Sequence, residues 1–403
     1  MRRLSLVIAV WCVTSVANPT DNSPSWKFDR QVICANVPGA DEVVCGDIDG
    51  DGRIDILCAQ SEGQQLPLRW FKNLGGDPPR WKISERISPV HADWQGEEGW
   101  MGSWLGDLDG DGDLDVVSGA KGTFSGVSHP VFWFENLKGD GSAWAEHLLP
   151  VNGDYIDNSR TADLNADGRD DLIIQKYHGG GVHYVVCPAP ADARRIENWR
   201  SCRIGEGGSG LCLADIDGDR CLDVLVNNQW LRNPGQPAQE RWPAFSIADA
   251  PEGVKNAAGD FNRDGRMDIV LSSEEGKGIW WFEATAEAAN GKWIRHPIVE
   301  DYMGVHTLWV ADFDRNGRPD ILAAEMHTKG KHRVTIFQNA DGNGQRWVEH
   351  TIATTGSHNA VACDVNGDGM PDVVGCNFAD SDNPLEVWYN SLRAPLHAKT
   401  GGK

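Results

Sequence analysis

The sequence is poor in basic residues and lacks long hydrophobic runs. Lys and Arg number 37 against 59 Asp and Glu, which gives a formal net charge of −22 over 403 residues. Because like charges repel, this deficit argues against nucleic acids and anionic membrane surfaces as partners. No stretch reaches the roughly 18 apolar residues that a membrane-spanning helix requires, so no membrane insertion is predicted.

The amino terminus has the three parts of a secretory signal peptide, which is predicted over residues 1–17. Arg2 and Arg3 supply the positive charge, Leu4–Trp11 is a short apolar segment, and Ser15–Ala17 is a small-x-small cleavage site. The sequence therefore predicts export, and a soluble mature chain that starts near Asn18 and is secreted or periplasmic.

No two cysteines have the Cys-x-x-Cys spacing that is typical of zinc sites. Nine cysteines remain after the predicted signal peptide, and an odd number in an oxidising compartment leaves at least one thiol outside intramolecular disulfides. Most are expected to be small, buried apolar residues. Cys187 and Cys202, which flank one predicted strand connection, are the pair expected to form a disulfide.

One acidic motif, Asp-x-[Asp/Asn]-x-[Asp/Asn]-Gly-x-x-Asp, occurs in seven copies. The first aspartates of successive copies are 45 to 60 residues apart, which indicates a repeat protein with one structural unit per copy. The oxygen-bearing positions of the seven copies are Asp47, Asp49, Asp51 and Asp55; Asp107, Asp109, Asp111 and Asp115; Asp163, Asn165, Asp167 and Asp171; Asp215, Asp217, Asp219 and Asp223; Asp260, Asn262, Asp264 and Asp268; Asp312, Asp314, Asn316 and Asp320; and Asp364, Asn366, Asp368 and Asp372.

This spacing predicts calcium binding. Oxygen atoms at positions 1, 3, 5 and 9, with a backbone carbonyl near position 7, can surround a Ca²⁺ ion, which takes six to eight oxygen ligands. Glycine at position 6 permits the sharp turn. The fourth copy has Arg220 there, so its site is expected to bind weakly or to be strained. Up to seven structural Ca²⁺ ions are predicted.

Bound calcium would also account for much of the acidity. Loss of Arg2 and Arg3 with the signal peptide would move the formal charge from −22 to −24, and seven divalent ions would bring it to −10. More than half of the acidic surplus is therefore assigned to cation binding rather than to a choice of partner.

The segments between the acidic loops predict four short β-strands per repeat. An apolar strand precedes each loop and a Val- and Ile-rich strand follows it. A third strand is aromatic, as in Phe132–Phe134, and a fourth begins near a tryptophan such as Trp293. Four strands in 45 to 60 residues are typical of a propeller blade. The seventh repeat lacks a fourth strand, which residues 26–33 can supply.

The predicted fold class is therefore an all-β, seven-bladed β-propeller. It is expected to be a single domain over residues 18–391, closed by the N-terminal strand, with a flexible tail over residues 392–403.

These repeats resemble FG-GAP/VCBS repeats, the calcium-loop blades of integrin alpha N-terminal propellers and of many secreted bacterial proteins. The resemblance covers nearly all of the mature chain and implies the fold and calcium binding. It leaves the activity open, because this group includes adhesion modules, lectins and carbohydrate lyases. Residues 303–390 are also similar to the propeller of fungal aldos-2-ulose dehydratase, in HTLWVADFDRNGRPDILAAEMH and SHNAVACDVNGDGMPDVVGCN.

Polar residues recur at positions that the repeat places on the face opposite the calcium loops, at the mouth of the central funnel. A ligand is expected to bind there. Asn, Asp and Lys supply directional hydrogen bonds to hydroxyls and carboxylates, and an indole can stack on a pyranose ring. The predicted function is recognition of a carbohydrate or a small sugar acid. The ligand-binding candidates are Asp157, Asn158, Lys255, Asn359, Asn377, Lys121 and Trp104.

An enzymatic function is also compatible with these residues: a carbon–oxygen lyase or dehydratase that acts on a keto-sugar or a uronic-acid glycoside. An additional divalent metal in the funnel, held by Glu325, His327, His306 and His358, would acidify a proton next to a carbonyl. A histidine or Tyr177 would act as the base. The same face could instead belong to an adhesion module that binds a protein partner, or form a solvated channel mouth without a ligand. The catalytic candidates are His306, His358, Tyr177 and Lys176.

Overall fold

The computed structural model describes residues 26–37, 39–61, 68–84, 86–89, 99–124, 126–151, 154–238, 240–247, 250, 255–326, 328–377 and 383–392. The predicted signal peptide, residues 393–403 of the predicted tail and the candidate metal ligand His327 lie outside the described residues. No helix in the described part of the chain is long and apolar enough to cross a membrane. Single-turn 3-10 helices occur at Tyr177–Gly179, Pro190–Asp192, Ile196–Asn198 and Ala288–Asn290.

The first strand, β1 (Phe28–Cys34), is followed by blades whose strands are numbered outward from the central axis. Blade 1 comprises β2 (Ala40–Gly46), β3 (Asp55–Gln60), β4 (Arg69–Asn73) and β5 (Trp81–Ile83). Blade 2 comprises β6 (Trp100–Gly106), β7 (Asp115–Ala120) and, after a hairpin of β8 (Thr123–Phe124) and β9 (Val127–Ser128), β10 (Val131–Asn136) and β11 (Trp144–Leu148). Blade 3 comprises β12 (Ile156–Ala162), β13 (Asp171–Lys176), β14 (Gly181–Val186) and β15 (Arg200–Gly205).

The second half of the chain continues the same arrangement. Blade 4 comprises β16 (Leu211–Ala214), β17 (Asp223–Val226), β18 (Gln229–Leu231) and β19 (Ala244–Ser246). Blade 5 comprises β20 (Asn256–Gly259), β21 (Asp268–Ser272), β22 (Lys277–Ala284) and β23 (Trp293–Met303). Blade 6 comprises β24 (Val305–Ala311), β25 (Asp320–Glu325), β26 (Val334–Asn339) and β27 (Trp347–Ala353). Blade 7 comprises β28 (Asn359–Cys363), β29 (Asp372–Cys376), β30 (Leu385–Asn390) and β1.

The innermost strands form a closed ring. Contacts run from β2 to β6 and onward through β12, β16, β20, β24 and β28, which contacts β2 again. Strand β1 pairs antiparallel with β30, from Phe28 opposite Asn390 to Cys34 opposite Leu385. The N-terminal strand is thus the outer strand of the last blade. The described residues form seven four-stranded sheets, and the predicted all-β seven-bladed propeller is confirmed.

The hydrophobic core lies between neighbouring blades. Trp133 of β10 is fully buried and packs with Leu172 and Trp199 of the next blade. At the end of β6 the packing leaves no room for a side chain: a Cβ atom at Gly106 would lie 2.7 Å from Thr161 Cγ2. The close approach of blades 2 and 3 therefore requires glycine at this position.

The predicted Cys187–Cys202 disulfide is wrong, because the strand register keeps these two free thiols apart. In the β14–β15 ladder Cys202 lies opposite Tyr184, three residues before Cys187. An odd separation along a strand places two side chains on opposite faces of the sheet. The two sulfurs therefore point away from each other.

Candidate functional site

Each acidic loop joins the innermost strand of a blade to its second strand, at one face of the disc. In all seven loops the backbone N–H of position 6 donates to the carboxylate of the first aspartate, at 2.7–3.0 Å. Such a side-chain-to-backbone bond closes the turn locally. The loop itself therefore holds its first carboxylate in place.

The aspartate at position 9 joins its loop to the outer part of the blade. In blade 1, Asp55 Oδ2 accepts the Ile48 N–H at 3.1 Å and its Oδ1 accepts the Asn73 N–H at 2.7 Å. The second contact, from the end of the third strand, recurs in every blade at 2.7–3.3 Å. Burial raises the pKa of Asp55 to about 7, because desolvation penalises the carboxylate. The position-9 aspartate therefore anchors the loop and also offers an oxygen ligand to a cation.

Four loops bring three carboxylates close enough to hold one metal ion. Within each group the candidate ligand oxygens lie within 4.8 Å of one another. The groups are Asp47, Asp49 and Asp55; Asp107, Asp109 and Asp111; Asp215, Asp217 and Asp223; and Asp312, Asp314 and Asp320. In the other three loops an amide oxygen replaces the carboxylate at position 3, on Asn165, Asn262 and Asn366.

The first aspartates have the chemistry that a cation site requires. Asp47 Oδ1, Asp107 Oδ1 and Asp215 Oδ1 are buried and have no hydrogen-bond partner among the described residues. A buried carboxylate oxygen without a donor costs free energy, and a bound cation removes that cost. The donor set consists of oxygen atoms, which suits a hard cation such as Ca²⁺ better than Zn²⁺ or copper. The loops therefore fit calcium.

The fourth loop keeps this geometry although Arg220 replaces glycine. Arg220 has a φ of 74°, in the left-handed region, and its N–H donates to Asp215 at 2.9 Å. The carboxylates of Asp215, Asp217 and Asp223 still form one group. The arginine therefore leaves a backbone strain of about 1 kcal/mol in an otherwise intact loop.

An asparagine at the end of the third strand links successive blades in five cases, and sequence reasoning missed it. Asn136 Nδ2 donates to the carbonyl oxygen of Ile48, in the acidic loop of the preceding blade, at 2.9 Å. The pattern was visible, since an Asn ends the third strand in FKN, FEN, LRN, FQN and WYN. Equivalent bonds of 2.8–3.0 Å are made by Asn73, Asn233, Asn339 and Asn390.

The opposite face holds the predicted funnel residues around a cavity of about 40 Å³. Arg160, which sequence reasoning missed, also lines it. It lies two residues after Asn158 on β12, so strand alternation could have indicated it. The cavity has room for roughly two or three water molecules but not for a sugar ring, so a sugar would bind outside it on the funnel face. The predicted residues that line it are Asn158, Lys255, His306 and Asn359.

Polar contacts join funnel residues within blade 5, where Lys255 pairs with Glu274, and between blades 7 and 1, where His358 contacts Asp41. His358 Nε2 lies 3.2 Å from Asp41 Oδ1, and Lys255 Nζ lies 3.2 Å from Glu274 Oε1. The rings of His306 and His358 are 4.8 Å apart. Burial, together with the neighbouring His358 and Lys255, lowers the pKa of His306 to about 3, so its imidazole is neutral at physiological pH.

Trp104 cannot stack on a ligand, which corrects the prediction for this residue. Its side chain is only 4% exposed, and the guanidinium carbon of Arg160 lies 3.9 Å from the indole centroid. Glu42 accepts a hydrogen bond from the Ser103 N–H. Burial raises the pKa of Glu42 to about 8, against the opposing charge of Arg160. Trp104 therefore lies beneath the Arg160 guanidinium and is closed to a ligand.

Tyr155 and Tyr177 form an aromatic surface on this face. Their ring centroids are 5.2 Å apart with an interplanar angle of 19°, and both side chains are partly exposed. Tyr155 directly precedes β12, Tyr177 directly follows β13, and the Tyr177 N–H donates to the Tyr155 carbonyl at 3.0 Å. Lys176 and the exposed Asp154 interact electrostatically beside them. Tyr177 and Lys176 were predicted from the sequence, whereas Tyr155 was missed.

The remaining candidates differ in accessibility. Asn377 supports a loop, because its Oδ1 accepts the His358 N–H at 3.1 Å. Lys121 directly follows β7 and is partly buried. Asp157 accepts a hydrogen bond of 2.7 Å from Asn158 Nδ2, and burial raises the pKa of Asp157 to about 6.

Of the residues predicted for a second metal, those that the structure describes do not converge. Glu325 accepts hydrogen bonds from Arg333 Nη2 at 2.8 Å and from three backbone N–H groups. Burial acts to raise the pKa of Glu325, but the ion pair with Arg333 outweighs this effect and lowers it. In the part of the chain that the structure describes, Glu325, His306 and His358 form no three-ligand group. Glu325 thus serves as an ion-pair partner.

A family model described as the FG-GAP-like repeat matches five segments of the chain. Each begins at the first aspartate of an acidic loop, and together they cover more than half of the chain. The matched segments are residues 47–118, 107–174, 215–271, 260–323 and 312–375.

Among curated proteins, the chain is similar to Cartilage acidic protein 1 of Xenopus tropicalis, with 23% identity over 386 residues, 86% of this chain and 58% of that protein. Integrin alpha pat-2 of Caenorhabditis elegans is 25% identical over 276 residues, 65% of this chain and 20% of that protein. The chain thus spans less than two thirds of the length of these relatives.

Among solved structures, the chain is similar to BBS1N in its complex with ARL6DN, with a TM-score of 0.56 and 10% identity. The likeness covers 92% of this chain and 98% of that one. At this identity it shows the fold alone.

Proposed function

The chain belongs to the family of FG-GAP-like repeat proteins, and from this premise we propose that it is an exported, calcium-stabilised propeller that binds carbohydrate on its funnel face. The acidic loops are the calcium sites. Their position-6 amides hold the first carboxylate in place, and buried oxygens such as Asp107 Oδ1 have no donor among the described residues. Calcium supplies the missing positive charge and joins the first and second strands of each blade.

The stacked pair of Tyr155 and Tyr177 carries the carbohydrate proposal. The two phenol rings cover part of each other's faces, and the exposed part of the stack presents an apolar surface to the C–H groups of a sugar, with the hydroxyls available for hydrogen bonds at the edge. The exposed Asp154 places a carboxylate beside the rings, with the buried Lys176 as its electrostatic partner, and this carboxylate suits the hydroxyl groups of a ligand. Because the 40 Å³ cavity excludes a sugar ring, the ligand lies on the face, as a chain end or side group of a polysaccharide does.

The proposal includes export, because an exported protein can meet a polysaccharide. The proposal rests on the charged, apolar and small-residue segments of residues 1–17. The mature chain is then one propeller domain over residues 18–391.

The test is native affinity electrophoresis of the full chain with Ca²⁺, in gels that contain a neutral polysaccharide (xyloglucan or galactan) or an acidic one (polygalacturonate or alginate). At least one polysaccharide should retard the protein. Y155A and Y177A should weaken binding by about tenfold, because the stacking surface is lost. Y155F and Y177F are the matched controls, and they should bind within about twofold of the wild type since the rings remain.

The outcomes separate carbohydrate binding from the competing functions. Equal retardation of the wild type and both alanine variants would remove the tyrosine pair from the site. No retardation by any of the polysaccharides would overturn carbohydrate binding and favour a protein partner. Ultraviolet absorbance from unsaturated products, lost in Y177F while binding persists, would establish the lyase instead.

A further inference from the structure

Four cysteines lie at the seam where blade 7 meets blade 1. Cys45 of β2 and Cys58 of β3 belong to blade 1, and Cys363 of β28 and Cys376 of β29 belong to blade 7. All four pack into the same hydrophobic cluster. Their side-chain interactions are pairwise and cross the seam, Cys363 with Cys45 and Cys376 with Cys58, and the Cys376 thiol also donates to the Ala40 carbonyl at 3.8 Å.

The strand register explains this pairing within blade 1. Cys58 lies opposite Val43 in the β2–β3 ladder, and Cys45 is two residues beyond Val43. Residues two apart on a strand share a face. Both thiols of blade 1 therefore point to the same side of the sheet, towards blade 7.

Blade 7 presents its thiols in the same way. Cys376 lies opposite Asn359 in the β28–β29 ladder, and Cys363 is four residues beyond Asn359, again on the same face. The innermost strands thus bring one pair of thiols together, and the second strands bring the other pair together.

Metal binding does not account for this arrangement. A tetrathiolate zinc site needs four sulfurs around one point, and no group of three or more metal ligands among the described residues includes these thiols. Cys58 and Cys376 are each only 2% exposed, so neither is placed to react with solutes from the folded surface.

We propose that the thiols form two disulfides, Cys45–Cys363 and Cys58–Cys376, that cross-link the first blade to the last. The oxidant is an external disulfide, either a small molecule such as oxidised glutathione or a thiol–disulfide oxidoreductase. One cysteine thiolate attacks it and releases a first thiol, and the partner thiolate then attacks the mixed disulfide and releases a second. One S–S bond forms and one breaks, and the two electrons and two protons pass to the released thiols.

The position of the cross-links determines their effect. The ring is held closed by non-covalent contacts, the β1–β30 pairing and the seam itself. A bond between Cys58 and Cys376 closes a loop of more than 300 residues, for which the loss of unfolded-state entropy is large.

The buried seam also determines when the thiols can be oxidised. The neighbouring Cys58 thiol, together with burial, raises the pKa of Cys376, which is only 2% exposed. A raised pKa disfavours the attacking thiolate in the folded protein. Oxidation therefore accompanies folding, before the seam has closed.

The test refolds the full chain from denaturant with Ca²⁺ in a mixture of reduced and oxidised glutathione. Remaining thiols are blocked with iodoacetamide, and non-reduced peptides are mapped by mass spectrometry. Peptides linked through Cys45–Cys363 and Cys58–Cys376 are expected, and reductant should lower Tm by about 5 °C or more. The matched control is C187A, which removes an equally buried thiol and should keep both links. The quadruple alanine variant of the seam should lose the response of Tm to reductant.

Alkylation of all nine described cysteines in refolded protein would overturn the proposal, and so would links between other pairs. The peptide map uses the wild-type chain, so this outcome is informative even if the quadruple variant fails to fold.

Discussion

The side chain of Asn136 donates through Nδ2 to the carbonyl oxygen of Ile48 at 2.9 Å, across the boundary between blades 2 and 1. Asn136 is fully buried, and its Oδ1 accepts the Gly141 N–H at 3.0 Å. One side chain thus ties the acidic loop of one blade to a turn of the next. Equivalent bonds in four other blades connect the acidic loops of blades 5, 6, 7, 1 and 2 in one series and those of blades 3 and 4 in another.

Replacement of Asn136 should destabilise the propeller. N136A leaves the Ile48 carbonyl and the Gly141 N–H without their partner, which costs about 1–3 kcal/mol for each group. N136D should be at least as destabilising, because its carboxylate faces the Ile48 carbonyl with no donor. Denaturant unfolding compares both variants with N290A, in which an exposed asparagine is removed. Midpoints of N136A and N136D equal to that of N290A would contradict this role.

Removal of calcium should lower the melting temperature. An ion that binds only the folded state adds about 2.7 kcal/mol per site at a hundredfold excess over Kd, and several loops contribute. EGTA is expected to lower Tm by about 10 °C or more. Added Ca²⁺ should restore it, whereas Mg²⁺ should restore it less, because it demands octahedral geometry and keeps its waters. Calorimetric scans that coincide with and without chelator would rule out calcium stabilisation.

Glycine at position 220 should stabilise the fourth loop. R220G relieves the left-handed strain at a φ of 74°, and the exposed arginine side chain contributes little packing. A gain of about 1 kcal/mol is expected, reduced in part by the entropy of glycine in the unfolded chain. R220A is the control, since it removes the side chain but keeps the strain. The strain account fails if R220A stabilises the protein as much as R220G.

His306 should make the protein less stable in mild acid. Burial lowers the pKa of His306 to about 3 from about 6.5 in the unfolded chain, so the unfolded state binds the extra proton between these values. The contribution of the neutral His306 to the free energy of unfolding is unaffected above pH 6.5 and is lost as the pH falls towards 3. Relative to the wild type, H306Q should gain about 2 kcal/mol between pH 7 and pH 5. Parallel stability curves for the two proteins would show that His306 does not titrate in this way.

Glu42 should have the opposite pH dependence. Burial raises the pKa of Glu42 to about 8 from its ordinary value of 4.5, so the folded state binds the extra proton. The free energy of unfolding of the wild type should therefore fall as the pH rises from 4.5 to 8. Between pH 5 and pH 8 this fall is on the order of 3 kcal/mol, and it should be absent in E42Q. Urea midpoints across this range give the comparison. Loss of stability in E42Q at pH 8 would instead show an ionised Glu42 paired with Arg160.

Much of the fold could be predicted because each blade is encoded within about 50 consecutive residues. The acidic loops, the apolar strands around them and the tryptophans of the outer strands are local patterns. The last repeat lacks a fourth strand, which pointed to β1, and β1 does pair with β30.

The candidate site was predicted less completely. Lys176 and Tyr177 were found from the repeat phase, but Tyr155 lies just outside it.

The amino-acid sequence by itself determined the number of blades, the carboxylate positions of the loops and the face on which polar residues gather, because all three follow from a repeat with local hydrogen bonding. Only the tertiary structure decided which side chains meet across blades. It placed Trp104 beneath Arg160, paired Glu325 with Arg333, and brought Cys58 to Cys376. These contacts depend on how neighbouring sheets twist and pack, and residues that are hundreds of positions apart carry no local pattern that reveals them.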